Sequence, residues 1–267
     1  MHWIAVPTVI MLVLLVLVLF RSTCGHVILR SPYGGEIVVF LMPSPLDLVS
    51  SHMRWIGWWE GWMHGLFDVL LQTSSGLVLD IGANVGSHSL VLGQSQQHTV
   101  WAFEPQAAPC AALRRSISAN RLNNIEVLQT ALGSTEGPSS LCSMRGVVLG
   151  SGAARIGKGG EHVHMTTLDS LWNARNRPHI AFVKMDVEGF EQEVLGGGRA
   201  CLSARPPMVF EDWGSATGTY LKDSCGYDHI IRLRHPWFQF ATRDFLAYHH
   251  ENIALSRFVS LHGHEEV

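Results

Sequence analysis

Asp80, Gly82, Gly86 and Glu104 are the residues of this chain whose types and spacing best suit binding chemistry. Val78-Leu79-Asp80-Ile81 is an apolar run interrupted near its end by an acid. Gly82-Ala83-Asn84-Val85-Gly86 follows, and Ser87-His88-Ser89-Leu90-Val91-Leu92 then reads as a helix start. Strand, glycine turn and helix N-terminus, in that order, form a nucleotide-type cofactor cradle. Gly82 and Gly86 permit close backbone approach to a ligand. Their G-x-x-x-G spacing departs from the G-x-G-x-x-G of the dinucleotide fingerprint. A carboxylate at the position of Asp80 repels a pyrophosphate and attracts an ammonium. S-adenosylmethionine carries an α-ammonium and a sulfonium and no phosphate, so these residues favour it over NAD.

A second acid follows at a fitting distance. His98-Thr99-Val100-Trp101-Ala102-Phe103 is another apolar strand and ends in Glu104-Pro105. Glu104 stands 24 positions after Asp80, near the offset of about 20 at which an acid accepts hydrogen bonds from a ribose diol. Pro105 stops the strand and sets a turn. The other dense stretch is Phe182-Val183-Lys184-Met185-Asp186-Val187-Glu188-Gly189-Phe190-Glu191. Here a strand runs into a turn bearing Asp186 and Glu188, with Glu191 at the start of a helix. Lys184, two residues before Asp186, shares its strand face.

These residues need a scaffold that gathers strand ends. From Gly76 onward, strands are expected at 77–81, 99–103, 125–129, 180–185 and 208–210. Helices are expected up to about residue 96, over 107–120, and over 168–172 behind a Thr167 cap. Residues 133–160 are rich in Gly and Ser and suit a hairpin with loose loops. Stretches 229–233 and 244–248 fit two closing antiparallel strands. Strand–helix alternation implies a mainly parallel sheet with helices on both faces and ligands at the carboxyl ends of its strands. Asp80, Glu104, Thr130, Asp186 and Glu211 all fall at or just past such ends. Upstream, Asp47 to Gln72 reads as helical. Its Trp55, Trp58, Trp59 and Trp62 suit a core-packing face, or alternatively a membrane-interface or sugar-stacking surface.

Composition narrows the functional classes. A chain of 267 residues buries one substantial core with length to spare. A net charge of −3 offers no basic field for nucleic acid. Cys24, Cys110, Cys142, Cys201 and Cys225 are odd in number and scattered, against a disulfide framework. The pairs His162/His164, His249/His250 and His262/His264 lack the ligand spacing and the Cys or acid partners of a zinc site, so no metal is assigned. Ile4 to Phe20 is almost wholly apolar and just long enough to span a bilayer. No Lys or Arg precedes it, which favours an uncleaved single-pass anchor over a cleaved signal peptide. Such an anchor suits the endomembrane system. Arg21 and Arg30 would hold the C-terminal side in the cytosol, and a lumenal orientation is the alternative. The expected organisation is an anchor over 1–22, a stem over 23–45 with a small edge strand near 36–41, the main domain over 46–255 and a tail over 256–267.

With Asp80-Ile81-Gly82-Ala83-Asn84-Val85-Gly86, Phe103-Glu104-Pro105, Thr130-Ala131-Leu132-Gly133, Thr167-Leu168-Asp169 and the stretch around Asp186, roughly residues 45–250 resemble the FkbM family of S-adenosylmethionine-dependent methyltransferases. Trp59-Glu60 and Gly61 resemble the helix that leads into that family's fold. The resemblance implies an α/β fold of class I methyltransferase (Rossmann-like) type. Its sheet is doubly wound, mostly parallel and seven-stranded, here preceded by the N-terminal transmembrane helix. It also implies S-adenosylmethionine as cofactor and O-methylation of a hydroxyl on a sugar, a glycan or a small molecule. Asp80, Ile81, Gly82, Ala83, Asn84 and Gly86 would then cradle the methionine part. Glu104 and Pro105 would face the ribose, and Thr130 and Ala131 the neighbourhood of the adenine.

Methyl transfer leaves the protein to position the acceptor and to remove its proton. Asp186 and Glu188 are the expected bases. Lys184 either pairs with Asp186 or, if desolvated, serves as the base itself. Glu211 and Asp212 end the next strand and are expected to face the same cleft. A divalent cation held by Asp186, Glu188 and Glu211 is another use of these acids. Glu191 is read as stabilising its helix N-terminus. The competing classes are a membrane-anchored scaffold that keeps the fold without chemistry, and an NAD-dependent oxidoreductase, which the glycine spacing and Asp80 disfavour.

Overall fold

The structure, a computed structural model, describes residues 25–143, 154–157, 160–212, 214, 216–234, 241–262 and 265–266. The anchor expected over 1–22 lies outside them. Among the described residues no helix is long and apolar enough to cross a membrane.

The chain begins with an antiparallel hairpin, β1 (His26–Arg30) and β2 (Glu36–Phe40). Residues 25–45, read as a stem, are therefore docked onto the domain. Ile37, Val39 and Leu41 are buried, and the backbone N–H groups of Val38 and Phe40 donate to Asn120 Oδ1 and Ser116 Oγ. The expected helical stretch divides into α1 (Leu48–Trp55), a 3-10 turn (Gly61–Met63) and α2 (His64–Thr73). Asp47 caps α1 by accepting from Ser50 N. Trp55 is exposed, whereas Trp58, Trp59 and Trp62 are half-buried against the core, so three of the four tryptophans serve packing.

The alternating part runs β3 (Gly76–Ile81), α3 (Ser87–Leu92), β4 (His98–Phe103), α4 (Ala107–Ala119) and β5 (Ile125–Leu128). Then come β6 (Ala131–Leu132), β7 (Gly137–Ser143), β8 (Ala154–Ile156), β9 (Glu161–Thr166) and α5 (Leu168–Ala174), whose Thr167 cap accepts from Ser170 N. The chain continues through β10 (Ile180–Met185), α6 (Glu191–Gly196), β11 (Met208–Glu211), α7 (Ala216–Cys225), β12 (His229–Arg234) and β13 (Ala241–Tyr248). It closes with α8 (Ile253–His262) and β14 (Glu265–Glu266). The residues expected as a tail from 256 on thus pack on the domain: Phe258 and Val259 of α8 lie against the cluster that holds Leu66 and Phe67 of α2, and β14 pairs with β12.

The main sheet has the order β14-β12-β13-β11-β10-β3-β4-β5. Strands β5, β4, β3, β10 and β11 are parallel, while β13 is antiparallel to both its neighbours. This is the expected seven-stranded arrangement with β14 added at one edge. The second sheet, β6-β9-β7-β8, contains the hairpin expected within 133–160. Central strands sealed on both faces read as apolar runs, and β10 is buried along its whole length. One face packs Leu79, Phe103 and Met185 against Leu168, Leu195 and Leu221 of α5, α6 and α7. The other packs Val78, Val100 and Phe182 against α2 and α8. From β3 the chain winds outward to β4 and β5, and from β10 to β11. The crevice at the carboxyl ends of β3 and β10 is therefore the topological switch point, where ligands bind in open α/β sheets.

Candidate active site

The loop after β3 is shaped by two glycines in the left-handed region. Gly82 has φ +85°, and a Cβ there would lie 1.8 Å from the carbonyl oxygen of Asp186. Only glycine lets the ends of β3 and β10 run this close, with Asp186 N donating to Ile81 O at 2.9 Å. The N–H groups of Gly82 and Ala83 both donate to Phe103 O, which ties the loop to the end of β4. Gly86 has φ +93° and starts α3, and a Cβ there would lie 2.2 Å from Leu113 Cδ1 of α4. Both glycines thus allow close approaches within the protein itself, to the Asp186 main chain and to Leu113.

Asp80 is fully buried and in register with Lys184 on the neighbouring parallel strand. Its Oδ2 accepts from Ser89 Oγ of α3. Its Oδ1 has no hydrogen bond and lies 3.6 Å from Lys184 Nζ. The same ammonium lies 3.7 Å from Asp186 Oδ2 and donates to Gly82 O at 3.3 Å. Burial alone would push the ammonium pKa down. The carboxylates of Asp186, Asp80, Glu60 and Asp244 outweigh burial and hold it above the ordinary lysine value. Of the two roles open to Lys184, ion partner and base, its surroundings select the ion partner. Asp80 accordingly holds Lys184 and α3 and is sealed from the cleft.

Glu104, just past the end of β4, is also buried. Its Oε2 accepts from Asn84 N at 3.0 Å and its Oε1 from Gln106 N at 2.8 Å. Asn84 itself adopts φ +50°. Burial pushes the Glu104 carboxyl up to about 7 against the opposing pull of these backbone donors. The Gln106 side chain hydrogen-bonds to the same carboxylate, so the two backbone donors are not its only partners. Thr130 Oγ1 donates to His164 O at 2.9 Å and fixes the loop after β5 to β9, and Ala131 is buried in β6.

The acceptor side is a rim of carboxylates. Asp186, Glu188 and Glu211 each offer an oxygen, and these oxygens lie within 4.8 Å of one another. Asp244 stands opposite Glu211 in the β11/β13 register. Asp212 does not join them: it accepts from Gly214 N, Thr217 N and Gly218 N and anchors the start of α7. Glu191 behaves as expected, accepting from Gly189 N at 3.0 Å ahead of α6.

The sequence did not single out two further groups. Glu60, between α1 and the 3-10 turn, sits at φ +51°, a conformation that is uncommon for a residue with a side chain. Its Oε2 is 3.4 Å from Nε2 of the buried His88, a nitrogen with no hydrogen-bond partner. Desolvation first, then Asp244, Asp186 and Glu211, raise the Glu60 carboxyl well above the ordinary glutamate value, and Lys184 opposes them. Burial, with Lys184 and His64 adding, lowers His88 far below the ordinary imidazole value, so the ring is neutral. In the sequence Glu60 is marked only by the resemblance of Trp59-Glu60 and Gly61 to the FkbM family's entry helix, and His88 only as part of a helix start.

Among solved structures the chain is similar to an rRNA methylase from Streptococcus thermophilus (14% identity, 69% of this chain and 93% of that one, TM-score 0.43). It is also similar to a methyltransferase from Geobacter sulfurreducens (16%, 72% and 79%, 0.43). A third is the T. thermophilus 16S rRNA N2 G1207 methyltransferase in complex with AdoMet and guanosine (14%, 84% and 50%, 0.45). No curated protein matches the chain. The sequence model of the Methyltransferase FkbM domain matches residues 80–245, from the acid of β3 to the acceptor-side end of β13. The chain belongs to the FkbM methyltransferase family and is an S-adenosylmethionine-dependent methyltransferase.

Proposed function

We propose that this enzyme O-methylates a neutral, hydroxyl-rich acceptor such as a sugar or glycan, with Glu60 as the base. The observation that carries the reading is the convergence of Asp186, Glu188 and Glu211 at the ends of β10 and β11, facing Glu60. Carboxylates in such a group accept hydrogen bonds from several hydroxyls at once. They also repel a phosphate backbone, which disfavours nucleic acid as the acceptor.

The residues present fit S-adenosylmethionine. The sealed Asp80 supplies negative charge, Glu104 supplies hydrogen-bond acceptors, and the surplus of acids around Lys184 favours a cationic ligand. Bound there, the cofactor supplies an activated methyl group. Asp80, Gly82 to Gly86, Glu104 and the Thr130-Ala131 loop hold and orient it. Glu188 and Glu211 position the acceptor. Glu60 takes the hydroxyl proton, because a desolvated carboxylate among like charges binds a proton more tightly than an ordinary one. His88 Nε2, at 3.4 Å, is placed to share that proton. Lys184 pairs with Asp186 and holds it in place.

The N-terminal apolar segment serves in this reading as a membrane anchor. The test begins with calorimetric titration of the full chain with S-adenosylmethionine, beside Glu104→Ala. Binding that the variant loses supports the pocket. Acceptors are then screened by release of S-adenosylhomocysteine. Turnover with neutral sugars supports the reading, and turnover confined to RNA refutes it.

A further inference from the structure

We propose that Asp228, His249 and His250 form a binding site for a divalent transition-metal ion, with Zn2+ as the probe ion, at the end of the sheet opposite the active site. In the sequence the His249/His250 pair lacks an acid partner, and folding supplies one. Strand β13 ends at Tyr248 and β12 begins at His229, and these two residues are register partners. The residues just outside the pair, Asp228 and His249, are therefore brought together. Met208, at the start of β11, pairs with Ala247, whereas Glu211 pairs with Asp244. The cluster thus lies at the amino ends of the parallel strands, away from the carboxylate rim.

Three ligand atoms converge there. His249 Nε2 is 3.2 Å and His250 Nδ1 2.7 Å from the same oxygen, Asp228 Oδ2. One metal-ligating atom from each side chain lies within 4.8 Å of the others. Two ligand atoms bound at about 2.1 Å and separated by these distances subtend roughly 80–100° at the ion, angles that a divalent metal accepts. The site needs little rearrangement, because the His250 main-chain N–H also donates to Oδ2 at 2.9 Å and fixes the carboxylate independently of either ring. Two imidazoles and one carboxylate suit Zn2+, Ni2+, Cu2+ or Co2+ rather than Mg2+ or Ca2+, which prefer all-oxygen ligands. The His250 side chain is 62% exposed and Asp228 37%, which leaves room for water to complete the coordination. The ion would clamp the start of β12 to the exit of β13, a structural role independent of methyl transfer.

The experiment strips the full-length protein of metal and titrates it with Zn2+ against a chromophoric chelator. The wild type is compared with the double variant His249→Ala/His250→Ala and with Asp228→Asn. The expected result is one equivalent of micromolar Zn2+ lost in the double variant and weakened about tenfold or more in Asp228→Asn. Co2+ should give a visible d–d band that the double variant lacks. S-adenosylmethionine binding reports folding of both variants, since neither touches the active site. Equal Zn2+ stoichiometry and affinity in folded wild type and double variant, or no wild-type binding below about 100 μM, overturns the proposal and leaves the cluster a hydrogen-bonded turn.

Discussion

Lys184→Met should be among the most damaging single changes to this domain, and its cost should depend on pH. The methionine fills much of the lysine's volume but removes the cation 3.6 Å from Asp80 and 3.7 Å from Asp186. Asp186 is one-third exposed and can turn to water, whereas Asp80 is sealed. Breaking a buried pair by removing one partner costs about 3–5 kcal/mol, because the remaining charge is left uncompensated. Protonation of Asp80 sets a ceiling. Neutralising an ordinary aspartate with a pKa of about 3.9 costs roughly 4 kcal/mol at pH 7 and about 1.5 kcal/mol at pH 5. The variant should therefore be about 3–4 kcal/mol less stable at pH 7, a loss of roughly 6–16 °C in Tm for a domain this size. The deficit should shrink by half or more at pH 5. Adding Asp80→Asn should recover most of the loss at pH 7. Chemical unfolding at the two pH values measures this. A deficit below 1 kcal/mol, or one that is unchanged between pH 7 and pH 5, would refute the idea that Lys184 neutralises a sealed carboxylate.

Glu104 has a folded-state pKa raised from 4.5 to about 7, so its stability contribution is intact below about pH 4.5 and is lost as pH rises through 7. That loss amounts to about 3 kcal/mol. Glu104→Gln should flatten the fall in thermal midpoint between pH 5 and 8, and it should weaken S-adenosylmethionine binding at least tenfold by calorimetry. Gly82→Ala should abolish cofactor binding or folding, since its Cβ meets a main-chain oxygen at 1.8 Å. Gly86→Ala meets only the end of the Leu113 side chain and should cost about 1–3 kcal/mol, and comparable losses at the two positions on thermal unfolding would contradict this. Glu60→Gln should cut kcat by about 100- to 1,000-fold, leave cofactor affinity within about twofold, and remove the acid limb of the pH–rate profile. That limb should lie above the ordinary glutamate range because the base must first lose a tightly held proton. Full activity in Glu60→Gln with none in Asp186→Asn would return the base role to Asp186.

What the sequence revealed and what it hid follow from the range of the forces involved. The strands β3, β4 and β10 were legible because burial on both faces requires unbroken apolar runs, and their ends were legible because glycine, proline and acids interrupt them. Thr167 and Glu191 were legible because capping acts over three or four residues. Lys184 was legible in place but not in role: only the parallel register beside Asp80 shows that its charge is already claimed. Glu60 was hidden because its site is assembled from residues 28 and more than 120 positions away, His88 and Asp186. The docking of residues 25–45 was hidden for a similar reason, since β2 bonds to Ser116 and Asn120 across the fold. Asp212 shows the opposite error: its position at a strand end suggests chemistry, yet its oxygens are committed to α7.

The arrangement of charge connects these pieces. Among the described residues Asp186, Glu188, Glu211, Asp244 and Glu60 gather in the crevice, with Asp80 sealed behind Lys184, and this surplus of acids gives a net negative field even with Lys184 fully protonated. A field of that sign holds a sulfonium ligand and, once the methyl group has left, favours the neutral thioether product less. Product release is then assisted by the same charges that assist binding. The field also adds to burial in raising the proton affinity of Glu60. In the proposed mechanism one set of acids thus selects the cationic cofactor, disfavours phosphate-bearing acceptors and sets the strength of the base. Its cost is the self-repulsion that Lys184 is placed to contain, which is why stability, cofactor affinity and the pH–rate profile should all respond to changes at that one lysine.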